Sequence, residues 1–506
     1  MENPRTSNHN AKSMAHAFLG NLTSLLVSQG MLAVLSIGII SVLTRWLDPT
    51  QYGIYGLFAG VAGLFSTFGV AWILQGVYKL ATEEFTEKSH MGEALATGAS
   101  LLAALLAAST LILMPLRAWL LPYVGIRAAW FPIFPLYIGI FAFVTLGNYL
   151  FQACGKFQRY ALLPPLERLI FFALISVAFF LRGPAQAETA LVTVMISNSF
   201  LLALIFPLLG RSTLAPARWN AALAQRMIRF SAPFILTNLI LYVAGWLDVY
   251  WVNSTLHKKD VGIYFLAVQF LNLGTQVPLM LNSLFTPLFI ALQKDERQDL
   301  VHAFFSGVAP KLLFGAALAL GAGSVALRFL FPFVVDAEFF ASLRPALFFL
   351  AAVHSGVLYY LIVPLLFARE KTLRITILSL LSLLVSVPLY GLAIPRFGIL
   401  GATASRVAQA AAASLVGLWL ARFDNATTIR RLILTFLLGQ TLLITFAALP
   451  SASTALVFLL SVSVAIFIIG RTRGFFDAQD LALLAQIRMP SVLLRSLHFL
   501  AKPKAA

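Results

Sequence analysis

The sequence predicts an all-α, polytopic membrane protein of about fourteen transmembrane helices, read as two parallel-repeat six-helix lobes around a central cavity plus two C-terminal helices. Three observations predict it. The 506 residues are 60% hydrophobic and only 11% charged, against roughly 25% charged in a soluble domain. Apolar runs of about 20 residues, each long enough to cross the hydrocarbon core, recur along the chain. A turn motif near the start returns about two hundred residues later, as in a chain built from two copies of one unit. In lipid the backbone must satisfy its own hydrogen bonds, so the runs should be helices. The short alternating segments of a barrel strand are missing.

The spans follow in order. The first lies near Leu22–Thr44 and the second near Ile54–Gly76, joined by Arg45, Asp48 and Pro49, residues of a tight connection. The third (Glu93–Pro115) and fourth (Trp130–Gln152) are separated by Arg117, Pro122 and Arg127. The fifth and sixth run near Ala161–Leu181 and Thr189–Leu209, closing a first lobe over 1–209. The polar stretch 210–230 reads as a cytoplasmic linker. Spans near Ser231–Val252, Val261–Leu284, Val308–Leu330, Arg344–Ala368, Arg374–Ile394 and Gly401–Ala421 build a second lobe over 231–423. Two more, Leu432–Leu449 and Ser453–Gly470, fall in 424–470, and 471–506 reads as a basic tail that Pro490 would break into two pieces on the headgroups.

Charge sets the orientation. With the N-terminus inside, the cytoplasmic segments carry 25 Lys and Arg and the opposite loops 9, which places both termini in the cytoplasm. The formal charge of +17 reflects this bias and contact with anionic lipid. Scattered over many loops, it offers no concentrated basic face, so no nucleic-acid partner is expected. The polar start carries no cleavable-signal pattern. The single Cys154 excludes an internal disulfide and a multi-cysteine metal site.

The repeat is carried by two places. Gly53-Ile54-Tyr55 overlays Gly262-Ile263-Tyr264 at an offset of 209, with Leu47 on Leu256. Ala153, Lys156 and Arg159 overlay Ala368, Lys371 and Arg374 at an offset of 215. Two halves in the same orientation are a transporter architecture, with the substrate path at their interface.

Three motifs carry a family resemblance. They are Arg45-x-Leu47-x-Pro49-x-x-Tyr52-Gly53-x-Tyr55, Pro233 and Asp248 followed by Val261-Gly262-x-Tyr264, and Gly398-Ile399-Leu400-Gly401-Ala402. Together they resemble the polysaccharide-export, O-antigen flippase branch of the multidrug/oligosaccharidyl-lipid/polysaccharide exporter superfamily. The resemblance reaches to about Phe423. It implies a flippase that moves an undecaprenyl-pyrophosphate-linked oligosaccharide across the bacterial inner membrane by alternating access, for O-antigen, capsule or exopolysaccharide synthesis. Membrane lipids, a polysaccharide polymerase and a chain-length regulator are the other candidate partners.

A diphosphate crossing a membrane calls for cations inside the bundle, and arginine suits it through bidentate hydrogen bonds. Four ionised residues fall clearly within spans: Glu167, Arg168, Asp248 and Arg406. Arg168 and Arg406, joined by Arg45 at the outer end of the first helix, are candidates for the diphosphate. Each has a plainer reading: Arg168 could pair with a carboxylate on another helix, since Glu167 is expected to point elsewhere on the helix face. Arg406 and Asp248 could form a structural ion pair, and Arg45 could only snorkel. Asp248 is the candidate for coupling to a proton or sodium gradient. Asn148, Gln152, Gln269, Asn272 and Gln276 are candidates for sugar hydroxyls, the last three sharing one helical stripe, although most intramembrane amides join helices. His354 reads as a satisfied core residue.

Enzyme chemistry is not expected. No HExxH, Walker loop or convincing carboxylate pair is present, and no resident cofactor is implied. Every loop is too short for the extramembrane domain of a polymerase or glycosyltransferase. An ion-coupled drug exporter of the same superfamily is the competing class. It would be expected to carry a carboxylate deep in the first helix, and Leu22–Thr44 has none.

Overall fold

The structure, a computed structural model, describes residues 27–473 except 182, 184, 215, 216, 295, 296 and 424. The tail beyond Arg473, with Pro490, and the start of the first predicted span lie outside the described residues. All elements among the described residues are helical. Helix α1, Val27–Trp46, leads to α2, Pro49–Phe65. The turn between them forms as its residues dictate. Asp48 accepts from the backbone N–H groups of Thr50 (2.7 Å) and Gln51 (2.9 Å), and Pro49 needs no N–H at the first helical position.

Then follow α3 (Leu74–Lys88), α4 (Gly92–Val124), α5 (Ile133–Ala153), α6 (Phe157–Phe180), α7 (Ala187–Leu209), the short α8 (Arg211–Leu214) and α9 (Ala221–Thr255). The chain continues as α10 (Lys258–Lys294), α11 (Gln298–Ala303), α12 (Ala309–Val334), α13 (Leu343–Ala368), α14 (Thr372–Ala421), α15 (Ala426–Ala448) and α16 (Ala452–Arg473). Among the described residues twelve helical stretches are long and apolar enough to cross a membrane. Two of the fourteen expected spans share the longest of them, which Gly398 breaks at φ +56° and ψ −135°, a conformation open to glycine. The last expected span falls on α16.

The second expected span is not one regular helix. After α2 the backbone widens into a π turn over Ser66–Val70 and tightens into a 3-10 turn over Ala71–Ile73 before α3 resumes. The stretch 210–230 is no plain linker either. Helix α9 already runs from Ala221, because Ala, Leu, Gln and Arg there are strong helix formers.

The chain divides into two compact units: the first runs to Trp246 and takes in Lys258–Gly262, and the second takes in Leu247–His257 and the chain from Ile263. In the first, α5 packs against α3, α4 and α7, and Phe58 meets Phe134 with ring centroids 4.2 Å apart. The two copies of the turn motif touch within this unit. A Cβ on Gly53 would stand 2.5 Å from the Lys258 carbonyl oxygen, and a Cβ on Gly262 would run into the carbonyl oxygen of Pro49. Under the 209-residue offset Pro49 corresponds to Lys258 and Gly53 to Gly262, so the two contacts are reciprocal under that offset.

The second unit has an aromatic core in which Phe285, Phe289, Phe304, Phe305, Phe423 and Phe436 are all buried. Helix α15 packs on α12 and α13, and polar side chains fasten it. Gln440 donates to the Ala351 carbonyl (3.0 Å) and Ser355 Oγ (2.9 Å), and its Nε2 lies 3.1 Å from His354 Nδ1. His354 Nε2 lies 3.1 Å from the Leu313 carbonyl oxygen, which can only accept. The ring is therefore the neutral Nε2–H tautomer with both nitrogens satisfied, a core histidine as its sequence context implies. At the other end of α15, Arg328 donates to the carbonyl oxygens of Phe446 (2.6 Å) and Leu449 (2.9 Å) and to Ser324 Oγ (2.7 Å). It satisfies carbonyls that a helix end leaves without intrahelical donors.

Candidate functional site

The predicted charges fall into one cluster in each unit. In the first, Glu167 and Arg168 follow Pro164 and Pro165 on α6. Asn198 on α7 donates to Glu167 Oε1 (3.1 Å), and Ser197 donates to the Glu167 backbone carbonyl (3.0 Å). The other carboxylate oxygen lies 3.6 Å from Arg168 Nε. This corrects the expectation that Glu167 points away: both side chains are long enough to curl together although their Cβ directions diverge. Arg168 remains 44% exposed, and Tyr55 and Tyr137 stand within electrostatic reach of both charges. Tyr137 stacks on Phe141 with centroids 4.6 Å apart and meets Phe58 edge-on. The result is an accessible guanidinium beside aromatic side chains, at a depth in the sequence where charge is costly.

In the second unit Asp248, fully buried, accepts from the Tyr264 hydroxyl (2.7 Å) and lies 3.3 Å from Arg406 Nη1. Arg406 also hydrogen-bonds Tyr390, whose hydroxyl donates to Gln409 Oε1 (2.8 Å). The two charges weighed as an ion pair are one. Each arginine hydrogen bond to this cluster is a bond a diphosphate would have to replace.

Arg45 lies at the end of α1. It is exposed and folds back onto Ser41, its own helix one turn earlier, contacting both the hydroxyl and the backbone carbonyl. On α10, Gln269 and Gln276 are partly buried and Asn272 is exposed; Gln276 donates to the Asn272 carbonyl oxygen at 3.3 Å. Gln152 is partly buried at the end of α5. Asn148, one turn before it, has a buried side-chain oxygen with no hydrogen-bond partner among the described residues. Arg328, near the end of the expected span Val308–Leu330, is a further buried charge that the sequence reading does not single out. An arginine inside the apolar run Val325–Phe331 was the signal.

The first unit holds a cavity of about 420 Å³ whose wall includes Thr67, Gln75, Thr145, Tyr149, Asn238 and Tyr242. Among the described residues no ionised side chain lines it. Among the described residues no group of three His, Cys, Asp or Glu could hold a metal ion.

The family model described as polysaccharide biosynthesis protein matches residues 18–293. The chain belongs to that family. No curated protein matches its sequence significantly. Solved structures share the fold at low identity. The lipid II flippase MurJ in an inward closed conformation is 11% identical with a TM-score of 0.67, over 88% of this chain and 97% of that one. An inward-facing multidrug resistance MATE transporter of the MOP superfamily is 15% identical with a TM-score of 0.58, over 84% and 98%. A MOP superfamily transporter from Pyrococcus furiosus is 14% identical with a TM-score of 0.54, over 86% and 96%. The all-helical membrane fold of this polysaccharide biosynthesis protein is thus the one that flippases and exporters of that superfamily share.

Proposed function

We propose that the protein is a flippase that carries an undecaprenyl-pyrophosphate-linked oligosaccharide from the inner to the outer leaflet of the bacterial inner membrane, by alternating access and with both termini in the cytoplasm. The observation that carries this reading is Arg168: an accessible guanidinium, held by the adjacent Glu167 carboxylate and flanked by tyrosines, within an apolar helix of a polysaccharide biosynthesis family member. A guanidinium can grip a diphosphate through two parallel hydrogen bonds. Glu167 keeps it oriented, and Asn198 keeps Glu167 in place. Arg406 enters only when its pair with Asp248 opens. That exchange would free a carboxylate to take up a proton or sodium ion, which is how Asp248 would couple transport to an ion gradient. A polymerase and a chain-length regulator are the partners this role would bring to the outer face.

The test is the leaflet distribution of the lipid-linked oligosaccharide in cells lacking the protein and any second flippase. Cytoplasmic accumulation, relieved by the wild-type chain but not by Arg168→Ala at equal expression, is the expected result. Normal export without the protein would refute it and leave small-molecule efflux as the function to pursue.

A further inference from the structure

The polar cavity of the first unit lies apart from the charged groups in its chemistry. We propose that it is a binding site for an uncharged sugar ring, and so the place where the glycan of the proposed lipid-linked substrate is recognised; only that second clause rests on the flippase reading.

The local structure builds the site. A regular helix would have run from α2 into α3, but the π turn at Ser66–Val70 and the 3-10 turn at Ala71–Ile73 interrupt it; Thr67 and Ala71 in this interruption and Leu74 and Gln75 at the start of α3 form one wall. Irregular backbone at membrane depth persists where protein or a polar cavity can satisfy it, and π turns gather at functional sites. The facing walls come from α5, with Thr145 and Tyr149, and from α9, with Asn238 and Tyr242.

The lining suits an uncharged sugar. Among the described residues it offers amides, hydroxyls and two phenol rings beside the apolar Ala71, Leu74 and Leu241, and no ionised group, so a phosphate or carboxylate would find no countercharge there. A pyranose presents hydroxyls that donate and accept around its rim and an apolar face that packs on an aromatic ring. The two phenols are held for this. Tyr242 donates to the Gly60 carbonyl at 2.5 Å, which fixes its ring. Tyr149 accepts from Gln75 at 3.0 Å, which leaves its own hydroxyl hydrogen to donate. A cavity of about 420 Å³ holds roughly fourteen waters at about 30 Å³ each, room for a hexose and part of its neighbour.

The experiment is saturation-transfer difference NMR on the full-length protein in phosphatidylcholine nanodiscs. The probes are the methyl glycosides of glucose, galactose, mannose, rhamnose and N-acetylglucosamine. At least one should give a saturable signal that Gln75→Leu and Asn238→Leu each weaken tenfold or more, with Asn238→Gln retaining part of it. Arg168→Gln should leave that signal within twofold. Farnesyl diphosphate is titrated in parallel, and its binding should be lost in Arg168→Gln and kept in the two cavity variants. No saturable signal above empty nanodiscs, or a signal that survives both leucine variants of wild-type elution profile, means a cavity that holds water only and overturns the proposal. Glycoside binding as expected without farnesyl diphosphate binding upholds the cavity and counts against the cationic reading of Arg168.

Discussion

The glycine crossing offers the sharpest test of the packing. In Gly53→Ala the new methyl would stand 2.5 Å from the Lys258 carbonyl oxygen and 2.9 Å from the Gly262 nitrogen, where ordinary contact begins at 3.4 Å. The obstacle is backbone on both counts, so the starts of α2 and α10 must part by about 0.9 Å. Such overpacking typically costs about 1–3 kcal/mol, against about 0.5–1 kcal/mol that alanine gains over glycine inside a helix. The net expectation is a loss of about 1–2 kcal/mol. Gly262→Ala should cost at least as much, since its methyl meets the Pro49 carbonyl more closely. The reciprocal geometry adds a second expectation. Once one alanine has parted the helices, the second should be accommodated at a lower cost, so the double variant should be less destabilised than the sum, by about 0.5 kcal/mol or more. Gly315→Ala on α12, where a Cβ meets nothing within 4 Å, is the control and should stabilise. The assay is the thermal unfolding midpoint of each variant in one detergent. If Gly53→Ala and Gly262→Ala raise the midpoint as Gly315→Ala does, or if their losses simply add, the close crossing is not as described.

Other variants probe the charged clusters. Asp248→Asn or Arg406→Gln alone should destabilise the second unit by about 3–5 kcal/mol, because each leaves a buried charge without its partner; Asp248→Leu with Arg406→Met should recover most of the loss in the same midpoint assay. Arg328→Leu should cost about 2–3 kcal/mol and loosen the end of α15, seen as faster amide exchange at Phe446–Leu449, since several carbonyls lose a charged donor. Burial pushes the Cys154 thiol up, so maleimide labelling should be slower at pH 7 than for a free thiol and should accelerate as the pH rises and thiolate forms; labelling as fast as free cysteine would contradict its half-buried setting.

How much of this was legible in the sequence depends on the range of the interaction. The helices were, because apolar length is a local property, and so was the turn at Asp48 and Pro49, where cap and proline lie within three residues. The Asp248–Arg406 pair was legible as an alternative because few charges compete for partners inside spans. The contact of Glu167 with Arg168 runs against the helix-face expectation, since neighbouring Cβ atoms diverge while long side chains do not have to. The break at Ser66–Ile73 could not be read, since no proline marks it. Arg328 stands out inside its apolar run, but its role does not, as the carbonyls it serves are on a helix more than a hundred residues away.

These cases point to a rule for sorting polar residues in an apolar bundle. A polar side chain in lipid must find a partner, and most here find another part of the chain. Gln440, His354 and Arg328 all serve to fasten α15 to α12 and α13, which makes the thirteenth expected span an integral part of the second unit. Asp248 and Arg406 answer each other. What such pairing leaves over is then informative. Among the described residues Arg168 pairs with the neighbouring carboxylate alone, and it stays 44% exposed. Asn148 keeps a buried oxygen with no partner among the described residues, and the amides and phenols around the broken helix face a cavity with no charge in it. A cation with spare hydrogen bonds and a neutral polar cavity in the same unit correspond to the two chemically different parts of a diphosphate-linked sugar. For that reason the residues without structural employment, more than the deepest charges, are where substrate recognition should be sought.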